Sequence, residues 1–195
     1  MAQTTPHSLL QRLKTTDNKA WLEFAGIYSP FLRYWLGQRL RFPTHQADID
    51  DLVQDVLQVV SQKVATFQHN GRVGAFRLWL KTIVRNRASE FLRHPKLLAT
   101  GDSDFAKKLQ ELEDPQSELH QSWDREHDAH VLNRLLEMAR DHFSPEIWKR
   151  FEETALKNKK AGLVAAELQT TRNAVWLAKS GVLRWLREKA RELVD

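Results

Sequence analysis

Asp48-Ile-Asp-Asp-Leu-Val-Gln-Asp-Val-Leu-Gln-Val-Val60 is the stretch on which the fold class turns. Its apolar residues Ile49, Leu52, Val53, Val56, Leu57 and Val60 fall at steps of three and four, the period of one buried helical stripe. The opposite face holds Asp51, Gln54, Asp55, Gln58 and Gln62, acids and amides with hardly a cation among them. Asp48 stands where a carboxylate can cap the free amides of the first turn.

Working outward, the same periodicity covers most of the chain. Upstream, Asp17 to Leu40 reads as a helix with Trp21, Phe24, Tyr28, Phe31, Leu32 and Trp35 on one face. Pro30 is expected to kink or break it, and Pro43 with Thr44 forms a turn. Downstream, the loop from Gln68 to Gly74 leads into a helix from Ala75 to about Arg93. Phe76, Trp79, Leu80, Ile83, Val84 and Leu92 point inward there, and Arg77, Lys81, Arg85, Asn86, Arg87 and Arg93 point outward. Residues 96–122 carry Gly101 and Pro115 and read as a linker with a short helix near Phe105 to Leu112. Helices resume at Trp123, with Val131, Leu132, Leu135, Leu136 and Met138 making one helix. A further helix opens at Ser144-Pro145-Glu146, a capping serine followed by proline at the first helical position, with Ile147, Trp148, Phe151 and Leu156 inward. The last pair is Ala161 to Leu168 and Arg172 to Leu193, joined by Gln169-Thr170-Thr171, the form of a helix-turn-helix. The expected fold is therefore all-α: two small helical bundles joined by a flexible linker.

Composition narrows the possibilities. The 195 residues are 42% hydrophobic, enough to bury cores, and contain no cysteine, which excludes disulfides and thiolate metal sites. Met1 to Thr16 has no apolar core of signal-peptide length, and no apolar run approaches a membrane span; a soluble cytoplasmic protein is expected. Net charge is +5 with an isoelectric point near 9.6. From Gly101 to Asp128, nine carboxylates face three cations, a local balance of −6 that leaves +11 for the remainder. Two basic blocks flank an acidic one.

Both basic blocks carry nucleic-acid chemistry. On the last helix Thr171, Arg172, Asn173, Trp176, Lys179 and Ser180 share the outward side near the N-terminus, where a recognition helix meets base edges and phosphates. Arginine pairs bidentately with guanine and asparagine with adenine; the alternative is a solvated helix face. The helix from Ala75 to Arg93 mixes Phe76 and Trp79 with arginines, as single-strand binders do, although Trp79 at this spacing reads as core.

These residues carry a resemblance. Asp48-Ile-Asp-Asp-Leu-Val-Gln-Asp-Val-Leu57 is similar to the polymerase-binding helix of sigma-70 family factors. Phe76-Arg-Leu-Trp-Leu-Lys-Thr-Ile-Val-Arg-Asn-Arg87 resembles the −10-reading segment of the extracytoplasmic-function group. Asn173-Ala-Val-Trp-Leu-Ala-Lys-Ser-Gly-Val-Leu-Arg184 is similar to that group's −35-reading helix, in its planctomycete-type variant. The resemblance implies a region 2-like domain over 18–97, an acidic linker over 98–127 and a region 4-like helix-turn-helix over 128–193. It implies that Asp51, Gln54, Asp55 and Gln58 face the β′ clamp helices of core RNA polymerase, with the β flap a second contact. Phe67, Arg77, Lys81, Arg85, Asn86 and Arg93 would serve the −10 element of promoter DNA, the loop from Phe67 to Gly74 holding a flipped base. Thr171, Arg172, Asn173, Trp176, Lys179 and Ser180 would serve the −35 element. The implied function is a sigma factor without catalysis or cofactor, whose relatives are often held by an anti-sigma protein. The acidic linker is either a nucleic-acid mimic threaded through the polymerase or a solvated tether.

Three positions depart from the family pattern. Gln169 stands where glycine usually follows the first helix of the pair, so it must take a left-handed backbone unaided. Gly181 lies inside a helix, and Lys157-Asn158-Lys159-Lys160 replaces a glycine-bearing approach. The eight histidines, among them His120, His127 and His130, read as surface residues, and structural zinc is not expected without cysteine. The competing classes are a stand-alone helix-turn-helix regulator with a helical sensor domain, which would bind DNA without polymerase, and a metal-dependent nuclease. For the latter, Asp48, Asp50, Asp51 and Asp55 supply only part of a two-metal site.

Overall fold

The computed structural model describes residues 8–15, 17–39, 45–68, 70–93, 103–191 and 193, with the side chains of Leu92 and Ser103 left aside. Among the described residues there are helices and no strand, as the periodicity predicts. Two compact units emerge, Met1–Val131 with Glu192–Asp195, and Leu132–Arg191.

The N-terminal unit begins with a short helix α1, Leu9–Leu13, that the sequence reading lacked. Ser8 caps it, accepting from the Gln11 amide at 3.2 Å, and Leu9, Leu10 and Leu13 are buried. Arg12 ties it to α2 through Asp17 at 3.0 Å and Glu23 at 2.8 Å. Helix α2 spans Asn18–Tyr34 and continues as a π-helical turn, Trp35–Arg39. Asp17 caps it by accepting from the amides of Lys19 at 2.9 Å and Ala20 at 3.1 Å. Pro30 lies inside α2 without ending it, so of the kink or break expected there the break does not occur. It sits on an exposed side together with Gly26, four residues earlier, where water can satisfy the carbonyl that the proline leaves unpaired.

Helix α3, Gln46–Lys63, buries Ile49, Leu52, Val53, Val56 and Val60, the stripe read from the sequence. It opens two residues before Asp48, which accepts from the His45 amide at 3.1 Å. A 3₁₀ turn, Val64–Thr66, follows. Helix α4, Ala75–Leu92, begins at Gly74, whose φ of +77° favours glycine. Phe76, Leu80, Ile83 and Val84 are buried. The aromatic core of the unit is layered: Phe24 lies 4.5 Å from Tyr28, and Phe76 packs edge-on against both.

The described part of the segment read as a flexible linker is two packed helices joined by a turn at 114–117. Helix α5 covers Ser103–Glu113 and buries Phe105, Leu109 and Leu112. Helix α6 covers Glu118–His142, and the Ser117 hydroxyl accepts from the His120 amide at 3.0 Å at its start. Residues 118–131 of α6 belong to the N-terminal unit. Trp123 is fully buried, its ring 5.0 Å from that of Phe31 and 4.9 Å from that of Trp35. Burying a large apolar side chain of this kind contributes roughly 1.5–3 kcal/mol. Apolar spacing at four and three residues thus outweighs the acidity that suggested a tether.

The C-terminal unit holds the end of α6, then α7, Pro145–Phe151, a π-helical turn at Glu152–Leu156, α8, Ala161–Glu167, and α9, Arg172–Ala190. Ser144 caps α7 with Pro145 in its first turn, as the sequence indicates. Val164, Ala165 and Val175 form one buried cluster with Leu168 against it. Leu156, expected inward, is half exposed. The wide turn explains this: the Lys157 amide bonds the Glu152 carbonyl five residues back at 2.9 Å, which shifts the register and turns Glu153 and Thr154 inward instead.

Candidate nucleic-acid interface

On α3, Asp51, Gln54, Asp55 and Gln58 are all exposed and share the side opposite the buried stripe. Arg33 of α2 pairs with the neighbouring Asp50 at 2.5 Å. The four-residue patch makes no ion pair among the described residues, so its carboxylate and amide oxygens face solvent as a set of acceptors for a basic partner.

The α4 residues divide into two groups. Asn86 and Arg93 are exposed. Phe67 is buried instead, its ring against those of Phe76 and Trp79, while its carbonyl accepts from Lys14 Nζ at 2.7 Å. Trp79 is half-buried within this ring cluster, which agrees with its reading as core. In the loop between Phe67 and Gly74 the Val73 side chain is 80% exposed, and Arg72 is exposed beside it; His69 lies outside the described residues.

Arg77, Lys81 and Arg85 do not face solvent freely. Arg77 Nε meets Asp124 at 3.1 Å and its Nη1 donates to Asp128 at 2.5 Å. Lys81 is 3% exposed, and its ammonium meets Asp124 at 3.1 Å and His120 Nε2 at 2.8 Å. Arg85 pairs with Glu113, and Arg39 pairs with Glu126. Burial pushes the Lys81 ammonium below its ordinary pKa, and the Asp124 carboxylate only partly opposes that. His120 bonds the Leu112 carbonyl through Nδ1 at 3.0 Å, which leaves Nε2 as the acceptor for Lys81.

The surface reading of the histidines fails at His127, which is completely buried. Its Nδ1 bonds Asp128 at 2.9 Å and its Nε2 bonds the Tyr28 hydroxyl at 3.1 Å. Burial holds His127 below the usual imidazole pKa despite the adjacent carboxylate, and burial also pushes the Tyr28 hydroxyl well up. Asp128 is raised by its own burial, but hydrogen bonds from His127 and Arg77 outweigh this and keep it below the ordinary carboxylate range. His130 Nε2 donates to the Ile27 carbonyl at 2.6 Å. Sequence spacing held one signal for this network: Trp123, His127 and Val131 recur every four residues. Among the described residues no group of histidines and carboxylates could hold a metal ion.

In the C-terminal unit Thr171 caps α9 by accepting from the Ala174 amide at 3.1 Å. Arg172, Asn173, Trp176 and Lys179 are exposed, with Trp176 at 64%, while Ser180 is half-buried and donates to the Leu177 carbonyl at 3.2 Å. Gln169 takes the left-handed backbone expected of it, with φ of +47°. The Thr170 amide bonds the Ala165 carbonyl at 2.9 Å and the Gln169 amide bonds Ala166 at 3.3 Å, a Schellman stop that fixes the turn. Two lysines of the approach fold back on Glu153, Lys157 at 2.8 Å and Lys159 at 2.9 Å, and Lys149 of α7 joins them at 3.1 Å. Hydrogen bonds from Lys157, Lys159 and Lys149 hold the Glu153 carboxyl down to about 2.

No helix among the described residues is long and apolar enough to cross a membrane. None of the curated proteins compared with the chain matches it. Residues 27–96, which include α3 and α4, match the model of the family Sigma-70 region 2. The heart of the N-terminal unit is thus similar to the sigma-70 domain that binds RNA polymerase and promoter DNA, and this likeness supports a sigma factor.

Proposed function

We propose that the chain is a sigma factor of the extracytoplasmic-function group, in its planctomycete-type variant, a specificity subunit that brings core RNA polymerase to promoters and performs no chemistry itself. The observation that carries the reading is the coincidence of the region 2 match over residues 27–96 with the exposed acid and amide face of α3. Asp51, Gln54, Asp55 and Gln58 dock on the basic clamp helices of the β′ subunit. Exposed Asn86 and Arg93, with the cations of α4, serve the −10 element. In the C-terminal unit Thr171, Arg172, Asn173, Trp176, Lys179 and Ser180 present α9 to the −35 duplex, with the β flap as the unit's polymerase contact. The exposure of Arg172, Asn173, Trp176 and Lys179 on one end of α9 supports that placement, because base readout needs side chains at the N-terminal end of a recognition helix. An anti-sigma protein is a further expected partner.

The test is assembly with purified core polymerase. The wild-type chain should bind core and direct initiation at discrete start sites on genomic DNA. The Asp51→Ala/Asp55→Ala double variant should keep its helical signal, since both residues are exposed, and lose holoenzyme formation. Normal assembly by that variant, or indifference of core enzyme to the wild type, overturns the proposal.

A further inference from the structure

We propose that α5 and α6 act as a built-in competitor for the nucleic-acid strand that α4 would hold, so that the free chain covers its own cationic face. The inference rests on the reading of α4 as the −10-facing helix. Arg77, Lys81 and Arg85 follow one another at four-residue steps along one side of α4, about 6 Å apart along its axis. Asp124 and Asp128 follow at the same step on α6, and Glu113 ends α5. Matching steps let carboxylates and cations register along the seam: Arg77 reaches Asp124 at 3.1 Å and Asp128 at 2.5 Å, Lys81 reaches Asp124 at 3.1 Å, and Arg85 pairs with Glu113.

A phosphate strand would ask for the same N–H donors. Lysine and arginine side chains offer a fixed number of them and no acceptor, so a donor given to Asp124 is withheld from a phosphate. Lys81, at 3% exposure, cannot reach a strand until Asp124 and His120 move away. The cover is anchored as well as charged, because Leu109, Leu112 and Trp123 are buried beneath it. A weak, nonspecific strand does not lift it; a partner that contributes comparable interaction does. Three acids of the acidic segment, Glu113, Asp124 and Asp128, thereby serve the N-terminal unit itself.

The experiment measures binding of a fluorescent single-stranded DNA 15-mer by the full chain, read by anisotropy across a salt series. Asp124→Asn with Glu113→Gln keeps side-chain size while removing two competing charges. Affinity at low salt should rise by about 10-fold, and the salt slope should steepen by about 1.4, the value for two added phosphate contacts on a single strand. Should that double variant lose its helical signal, Glu113→Gln alone, at a side chain 55% exposed, should still tighten binding by about threefold. The gain from Glu113→Gln should vanish when Arg85→Gln is added. Unchanged affinity and slope in a folded variant overturn the cover, as does a gain that survives Arg85→Gln. Binding of the wild type to core polymerase, measured in parallel, separates the two readings: its loss defeats the proposed function, whereas unchanged DNA affinity in the variants defeats the cover alone.

Discussion

Truncating Trp123 to alanine should unfold the N-terminal unit far more easily. The indole is fully buried and lies 5.0 Å from the Phe31 ring and 4.9 Å from the Trp35 ring. Tryptophan or phenylalanine to alanine in such a site costs about 3–5 kcal/mol, part from lost transfer energy and part from the cavity left behind. For a unit of this size that corresponds to a fall in melting temperature of roughly 10–20 °C. Gln121→Ala, at an exposed position on the same helix, is the control and should stay within about 0.5 kcal/mol of wild type. Urea unfolding followed by circular dichroism gives the loss. Tryptic cleavage at Lys107, Lys108 and Arg125 reports the segment directly, since a packed helix must open before it is cut. Trp123→Ala should be cut early at those sites and wild type late. A Trp123→Ala chain within 1 kcal/mol of the Gln121→Ala control, with wild type cut as fast as the variant, would refute the packing of α6 on the bundle.

Other expectations follow from single residues. His127 is held below the imidazole value of 6.5 in the folded chain, so the unfolded chain binds the extra proton first as pH falls. Its contribution is fully present above about pH 6.5 and is lost progressively below it; urea midpoints between pH 7.5 and 5 should fall less steeply in His127→Gln than in wild type. Gln169→Gly should stabilise the C-terminal unit by about 1 kcal/mol, because glycine takes the left-handed backbone without a Cβ penalty; a fall in its melting temperature would count against the turn geometry. Gly181→Ala should add a similar amount, about 1 kcal/mol, since a Cβ there meets nothing within 4 Å, and thermal unfolding measures it. Glu153, held to about 2 against an ordinary 4.5, contributes stability that is present above about pH 4.5 and lost as pH falls toward 2. Glu153→Gln should lower the melting temperature at pH 7 and leave little difference from wild type at pH 2.

Much of the fold could be read from spacing alone. The stripe from Ile49 to Val60, the inward face of α4, the capped start of α7 and the start of α9 at Arg172 stand where the residues put them, since each depends on local periodicity or a local turn signal. The exposed patch of α3 and the outward end of α9 were legible for the same reason. The pairing of Arg77 and the burial of Lys81 and Phe67 were not, because they depend on partners 40 to 50 residues away or on a ring cluster closed by the loop. Acid content made the segment after Gly101 look like a solvated tether, whereas Glu113, Asp124 and Asp128 pair with cations of α4, Glu126 pairs with Arg39, and Phe105, Leu109, Leu112 and Trp123 are buried. Pro30 and Leu156 show the limit of local rules. A proline on a solvated side need not end a helix, and one wide turn re-aims every side chain that follows it.

The packing of α5 and α6 has a practical side for anyone who divides the gene into expressible pieces. A fragment cut at residue 97, the end suggested by family likeness, would strip Trp123 from Phe31 and Trp35 and leave an oily seam facing buffer, the kind of patch that drives precipitation. Cloning boundaries set beyond 131 keep that seam shut and should yield the soluble piece.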